Sequence, residues 1–266
     1  MHHVIITVET CFGLSLISDR LRQTYPAAPT VTLHRRSITA HSLLLSSHPS
    51  RLTTTTMTVQ LGYERVASLA RGRGVEIVPN VFYFLRHGQT PRNALKIFQA
   101  YDEPLSELGQ KQAVDAAAAL ANEPVRSIVV SDAKRTLQTA EPSAKALGLT
   151  PTPTPLLKER HFGALVGTSS ETIDWDCKPE GGETLDEFVQ RSLSGVEFAL
   201  NRSEDQEPTL IVAHGGNLLV LVNALGIPLD RSKFSNALPL KFTRVDGQWH
   251  ITPLLAPSDP AHANMS

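Results

Sequence analysis

From Val81 onward, short apolar runs alternate with capped, helix-favouring segments, and that alternation predicts a parallel β-sheet covered by helices. Val81 to Leu85 reads as the first strand. Ser106 caps a helix from Glu107 to about Asn122, whose Ala-rich interior favours helix and whose end is set by Pro124. Arg126 to Val130 reads as a second strand, and Ser131 and Asp132 as caps of a helix through Arg135 and Thr139 to Leu147, stopped by Gly148. There follow an extended, proline-spaced segment from Thr150 to Leu157, a helix from Glu183 to about Arg202 capped around Thr184, a strand from Thr209 to Ala213 and a helix from Asn217 to Leu225. A closing pair, Leu240 to Val245 and Trp249 to Thr252, turns at Val245-Asp246-Gly247-Gln248. The expected fold is α/β: a three-layer sandwich with a mostly parallel central sheet and helices on both faces.

The first 79 residues differ in character. They carry eight Arg and no Lys against four acidic residues, are rich in Ser and Thr, and contain the run Thr53 to Thr56. They show little sustained periodicity; His3 to Thr10 could form a short strand and Gly13 to Arg22 a short helix. We read residues 1–79 as an extension of uncertain order, 80–256 as the catalytic domain and 257–266 as a flexible tail. An organellar targeting segment and a translation start at Met57 are the alternatives for the N-terminal part; as an appendage, residues 1–56 are expected to be removable without loss of catalysis. The cluster Arg71-Gly72-Arg73-Gly74 is read as a solvated loop without a role.

Composition narrows the class of function. With 41% apolar residues the chain can build a core, and a net charge of -1 argues against a general nucleic-acid binder. No apolar stretch approaches the roughly 20 residues that cross a bilayer, so no membrane partner is expected. Cys11 and Cys177 are too few for a disulfide framework, which makes a reducing, cytoplasmic location the default. No metal and no cofactor are implied.

The chemistry-bearing residues stand where strands end. Leu85-Arg86-His87-Gly88-Gln89-Thr90 places a cation and an imidazole directly after the first apolar run, and His214-Gly215-Gly216 follows the later one. Ligands collect at that edge of an α/β sheet, because helix N-termini present unpaired N–H groups there. Arg135 lies one helical turn beyond Ser131, and Glu159 follows the proline-spaced segment. The set suits a phosphoryl group: two guanidinium forks meet equatorial oxygens, one imidazole donates a hydrogen bond and the other attacks in line. Taken singly, each residue has a bland reading. A strand-end histidine is commonly structural, Arg135 could be a surface helix residue, and Glu159 could pair with Lys158 or Arg160. Coincidence is a poor account of all five together. His161 is read as a wall or core residue, and His2, His3, His34, His41, His48, His250 and His262 stay unassigned.

Leu85 to Thr90 with Asn93, Pro104-Leu105-Ser106 with Gly109 and Gln112-Ala113, Ser131 with Arg135-Thr136 and Gln138-Thr139-Ala140, Glu159 with Phe162-Gly163 and Gly167, and Ala213 to Gly216 together resemble the histidine phosphatase superfamily, in its phosphoglycerate-mutase-like branch. The motifs occur in the family's order and cover roughly residues 80–255. The resemblance implies that His87 is the phosphorylated nucleophile and Glu159 the proton donor to the leaving group. It likewise implies a phosphate pocket of Arg86, Arg135, His214 and Gly215, with Asn93 as a further contact. Val166 departs from the pattern, since many phosphatases of the family carry an acidic residue just before the glycine. The resemblance thus points to a phosphatase acting on small phosphorylated metabolites, phosphoproteins remaining within that reading. A cofactor-dependent mutase is the alternative, favoured by Glu159-Arg160-His161-Phe162-Gly163 and disfavoured by the short segment Thr168 to Glu180. A non-catalytic phosphate-binding or interaction module is the third reading, and the oligomeric state is left open.

Overall fold

The structure is a computed structural model that describes residues 52–202, 206–228 and 230–256. Six strands, β1 (Val81–Arg86), β2 (Ser127–Ser131), β3 (Thr152–Thr154), β4 (Thr209–Ala213), β5 (Pro239–Val245) and β6 (Gln248–Pro253), form one sheet in the order β3-β2-β4-β1-β5-β6. The first four in that order pair in parallel, and β5 and β6 add an antiparallel edge. The helices are α1 (Leu52–Arg71), α2 (Pro91–Ala94), α3 (Glu107–Leu120), α4 (Lys134–Leu147), α5 (Leu185–Leu200) and α6 (Gly215–Ala224).

Three layers follow from the two-residue period of the strands. Phe82 and Phe84 of β1, with Ile211 and Ala213 of β4, pack in one core with α1, α5 and α6. Tyr83 and Leu85, with Leu210 and Val212, face a second core with α3 and α4. Every residue of β4 is buried, as a strand covered on both faces requires. No helix among the described residues is long and apolar enough to cross a membrane.

The expected caps are mostly present. Ser106 Oγ accepts the Gly109 amide at 3.1 Å, and Thr184 with Glu187 closes a capping box at α5. Gly148 ends α4 with φ 66°, and Asp246 and Gly247 turn the closing hairpin at φ 50° and 79°.

Four expectations are corrected. The cap of α4 is Ala133, without a side-chain bond, because the Ser131 hydroxyl is engaged elsewhere and the Tyr101 carbonyl receives the Lys134 amide at 2.9 Å. The extended segment narrows to β3, since Pro155–Leu157 form a 3-10 turn. The last long helix starts at Gly215 rather than Asn217, with His214 as its N-cap. The boundary at residue 79 falls inside one compact unit that begins at Thr54. Tyr63, Val66 and Ala70 of α1, spaced for one helix face, and Ile77 after it are all buried in the core. The β-branched run that opens α1 disguises this helix in the sequence. The strap after α1 is held by hydrogen bonds from Asn201 Nδ2 to the Glu76 carbonyl and from Arg244 to the Ile77 and Val78 carbonyls.

The short elements expected within His3 to Arg22, the tail and Cys11 lie outside the described residues.

Candidate active site

β1 and β4 run in register to their last residues, with Arg86 opposite Ala213, so the next residues, His87 and His214, stand side by side at the sheet edge. Their ring centroids are 5.3 Å apart. The His87 amide donates to the Ala213 carbonyl at 3.0 Å, and its carbonyl accepts from Asn236 Nδ2 at 2.9 Å. The backbone of His87 is thereby held from two sides.

The ring's own bond fixes its tautomer. His87 Nδ1 lies 2.7 Å from the Gly88 carbonyl, which can only accept, so Nδ1 carries the proton and Nε2 keeps the lone pair. Burial, followed by the charges of Arg135 and Arg86, holds this imidazole well below the usual histidine range, against the opposing pull of the Gly88 bond. His87 is therefore neutral at neutral pH.

His214 is read the same way. Arg135 Nη2, which can only donate, lies 3.2 Å from His214 Nδ1, so His214 Nε2 bears the proton and donates it to Ser131 Oγ at 2.9 Å. Burial, then Arg135 and His87, lowers its pKa well below the usual value. In this geometry His214 Nε2 is bonded to Ser131, and the ring orients Arg135. Arg135 also donates from Nη1 to the Ala100 carbonyl at 2.9 Å, while its buried Nε has no partner among the described residues. Burial lowers its pKa to about 10, with Glu159 opposing, so it remains a cation. Arg86 is only 1% exposed; it donates to the Phe234 carbonyl at 2.6 Å and packs against Gly215.

Glu159 is aimed by backbone amides. Its Oε1 accepts from the Arg160 N–H and its Oε2 from the Gly216 N–H, both at 3.0 Å, at the positive end of α6. A Cβ on Gly216 would collide with Glu159 Oε1, which explains a glycine inside a helix. The loop carrying Glu159 is fastened by Arg191, which donates to the Leu156, Lys158 and Glu159 carbonyls and pairs with Glu183. Burial would raise the pKa of Glu183, but the Arg191 bond and the His161 amide outweigh it, so Glu183 stays ionised.

His87, Arg135 and Glu159 line one cavity together with Tyr101, Arg160 and Phe162. Of the remaining sequence candidates, Arg86 and His214 lie buried behind it, and Gly215 begins α6 against Arg86. Asn93 is buried in α2, outside the lining of that cavity. His161 stacks on Tyr101 at 5.5 Å between centroids, and Val166 packs against the cluster of Phe98, Phe162 and Ile173. Sequence reasoning missed Ser131 as the partner of His214, and it missed Arg191 and Glu183 altogether. Ser131 was visible as a candidate cap and as part of the motif around Arg135, and nothing local marks Arg191. No cluster of three or more His, Cys, Asp or Glu side chains able to hold a metal ion occurs among the described residues.

Residues 82–252 match the histidine phosphatase superfamily (branch 1). A probable phosphoglycerate mutase, GpmB, of Photorhabdus laumondii is 34% identical over 182 residues, covering 62% of this chain and 84% of that protein. Glucosyl-3-phosphoglycerate phosphatase of Mycolicibacterium vanbaalenii is 35% identical over 167 residues, covering 55% and 74%. The structure of a mycobacterial glucosyl-3-phosphoglycerate phosphatase with VO3 superposes with a TM-score of 0.54 at 28% identity, over 65% of this chain and 97% of that one.

Proposed function

Because the chain belongs to the histidine phosphatase superfamily, we propose that it hydrolyses phosphate monoesters of small metabolites through a phosphohistidine at His87. The observation that carries this reading is the bond from His87 Nδ1 to the Gly88 carbonyl, which leaves a neutral ring with its Nε2 lone pair in a cavity shared with Arg135 and Glu159.

Two steps follow. In the first, Nε2 forms a bond to phosphorus as the bond to the ester oxygen breaks, and the protonated Glu159 hands its proton to the departing oxygen. Positioned acids of this kind contribute typically about 10²- to 10⁴-fold. Arg135, kept in place by His214 and the Ala100 carbonyl, and Arg86 behind it, answer the negative charge of the transferring group. In the second, Glu159 takes a proton from water, whose oxygen attacks phosphorus and releases inorganic phosphate and free His87.

A mutase would return the phosphoryl group to its substrate instead. The compact segment after Gly163, pinned by hydrogen bonds from the Ala164 amide to the Glu180 carbonyl and from Gly182 to Pro179, favours hydrolysis because it adds no long enclosing insertion. The test is incubation with a panel of phosphate monoesters that includes 3-phosphoglycerate. Phosphate release and an acid-labile phosphoenzyme are expected, with both abolished in His87→Ala. Isomerisation to the 2-isomer without phosphate release would assign a mutase, and more than trace turnover by His87→Ala would remove the nucleophile.

A further inference from the structure

We propose that a second, apolar cavity beside Glu159 is the subsite for the alcohol moiety of the substrate, and that the substrates are phosphate monoesters of apolar alcohols. The inference rests on the phosphatase reading. This cavity is walled by Tyr63 and Val66 of α1, Leu185 and Phe188 of α5, Leu219 of α6, and Trp175. Tyr63, Val66, Leu185, Phe188 and Leu219 are each under 9% exposed.

Continuity with the phosphate site selects the occupant. Glu159, Arg160 and Phe162 line both cavities. The proton donor must come within hydrogen-bond reach of the ester oxygen, about 2.6–3.2 Å. The carbon attached to that oxygen then begins at the shared wall. On the His87 side the phosphoryl group fills the space, so the carbon skeleton is left with the apolar side. The wall there has few polar atoms; two donors, Arg160 Nη1 and Trp175 Nε1, are buried without a partner among the described residues, and an ester or ether oxygen on the alcohol would meet them.

The outer wall is this chain's own. Residues 62–66 precede the segment that matches the family, and Gly62 lets α1 close on Trp175, since a Cβ there would collide with the indole. The helix that the sequence hid among threonines thus adds a side wall to the catalytic site.

The experiment uses the full-length protein and straight-chain alkyl phosphates from ethyl to octyl, whose leaving groups differ little in basicity. The kcat/KM is expected to rise about fourfold for each added methylene until the cavity is full. Val66→Phe, which narrows the cavity, flattens the rise, and Val66→Ala moves its plateau to a longer chain; circular dichroism checks that each variant folds. A flat series in the wild type, or an unaltered rise in whichever of the two variants folds, overturns the subsite. If the wild type releases phosphate from other monoesters but from no alkyl phosphate, the subsite is overturned; if it hydrolyses no monoester at all, the phosphatase reading falls, and hexanol titration of Trp175 emission in a Trp249→Phe background judges the subsite separately. A saturable shift abolished by Val66→Phe or altered by Val66→Ala upholds it; the absence of a saturable shift, or one that neither substitution moves, overturns it.

Discussion

His87 is kept uncharged by burial more than by the arginines beside it. A histidine whose folded pKa lies below its unfolded value of about 6.5 stays uncharged where the unfolded chain would take up a proton. The unfolded state then binds more protons, so stability is fully present above pH 6.5 and is lost as pH falls below it. His214 has the same sign. Between pH 6.5 and about 5, where carboxylates contribute little, each ring removes up to about 1.4 kcal/mol per pH unit. Urea unfolding at pH 7, 6 and 5 is expected to show this decline, and His214→Gln to make it shallower. A stability constant over that range would contradict the buried neutral pair. In the proposed first step Glu159 serves the leaving group, so its loss there is read by leaving-group basicity. In Glu159→Gln, alkyl phosphates should lose at least about 10²-fold in kcat while aryl phosphates, whose oxygens leave unaided, lose much less. Equal losses would remove it as the acid.

At the scale of elements, the start of α6 holds the site together. His214 caps the helix, Gly215 leaves room for Arg86, and the Gly216 amide grips Glu159. The two glycines look like a helix break in sequence, whereas in the fold they are where two charged side chains pass closest to the backbone. Gly216→Ala would place a methyl against Glu159 and 2.9 Å from Phe188 Cζ. A misplacement of about 1 Å at a catalytic group costs on the order of 10²-fold, so a loss of that size in kcat is expected with the fold retained. Steady-state kinetics and circular dichroism together check it; a wild-type rate would show that Glu159 needs no such placement. Ser131 teaches the same lesson from the other side. It has the right type and position to cap α4, but its hydroxyl answers His214, 83 residues away.

For the whole molecule, the core extends beyond the segment that carries the motifs. Tyr63, Val66, Ala70 and Ile77 cover the α5–α6 side of the sheet. Full burial of a side chain such as Val or Ile is worth about 1.5–3 kcal/mol, and a domain is stable by only about 5–15 kcal/mol. A chain starting at residue 80 is therefore expected to lose cooperative thermal unfolding and to expose apolar surface. Calorimetry and dye binding check this; a cooperative transition within a few degrees of the intact protein's would make α1 dispensable to the core.

Local chemistry carried much of this protein in plain view. Apolar runs, Ser106, Thr184, Gly148 and the Asp246-Gly247 turn act within a few residues of themselves, so the order of strands and helices was legible from the chain. So were His87, Arg135 and Glu159, because each punctuates an element that the chain's own pattern delimits. The proton of His214, the grip of Arg191 on the Glu159 loop, the packing of α1 and the apolar cavity beside the acid were not legible. Each depends on groups dozens to more than a hundred residues apart meeting in a space that water has left, and burial, tautomer and void exist only once the layers have closed.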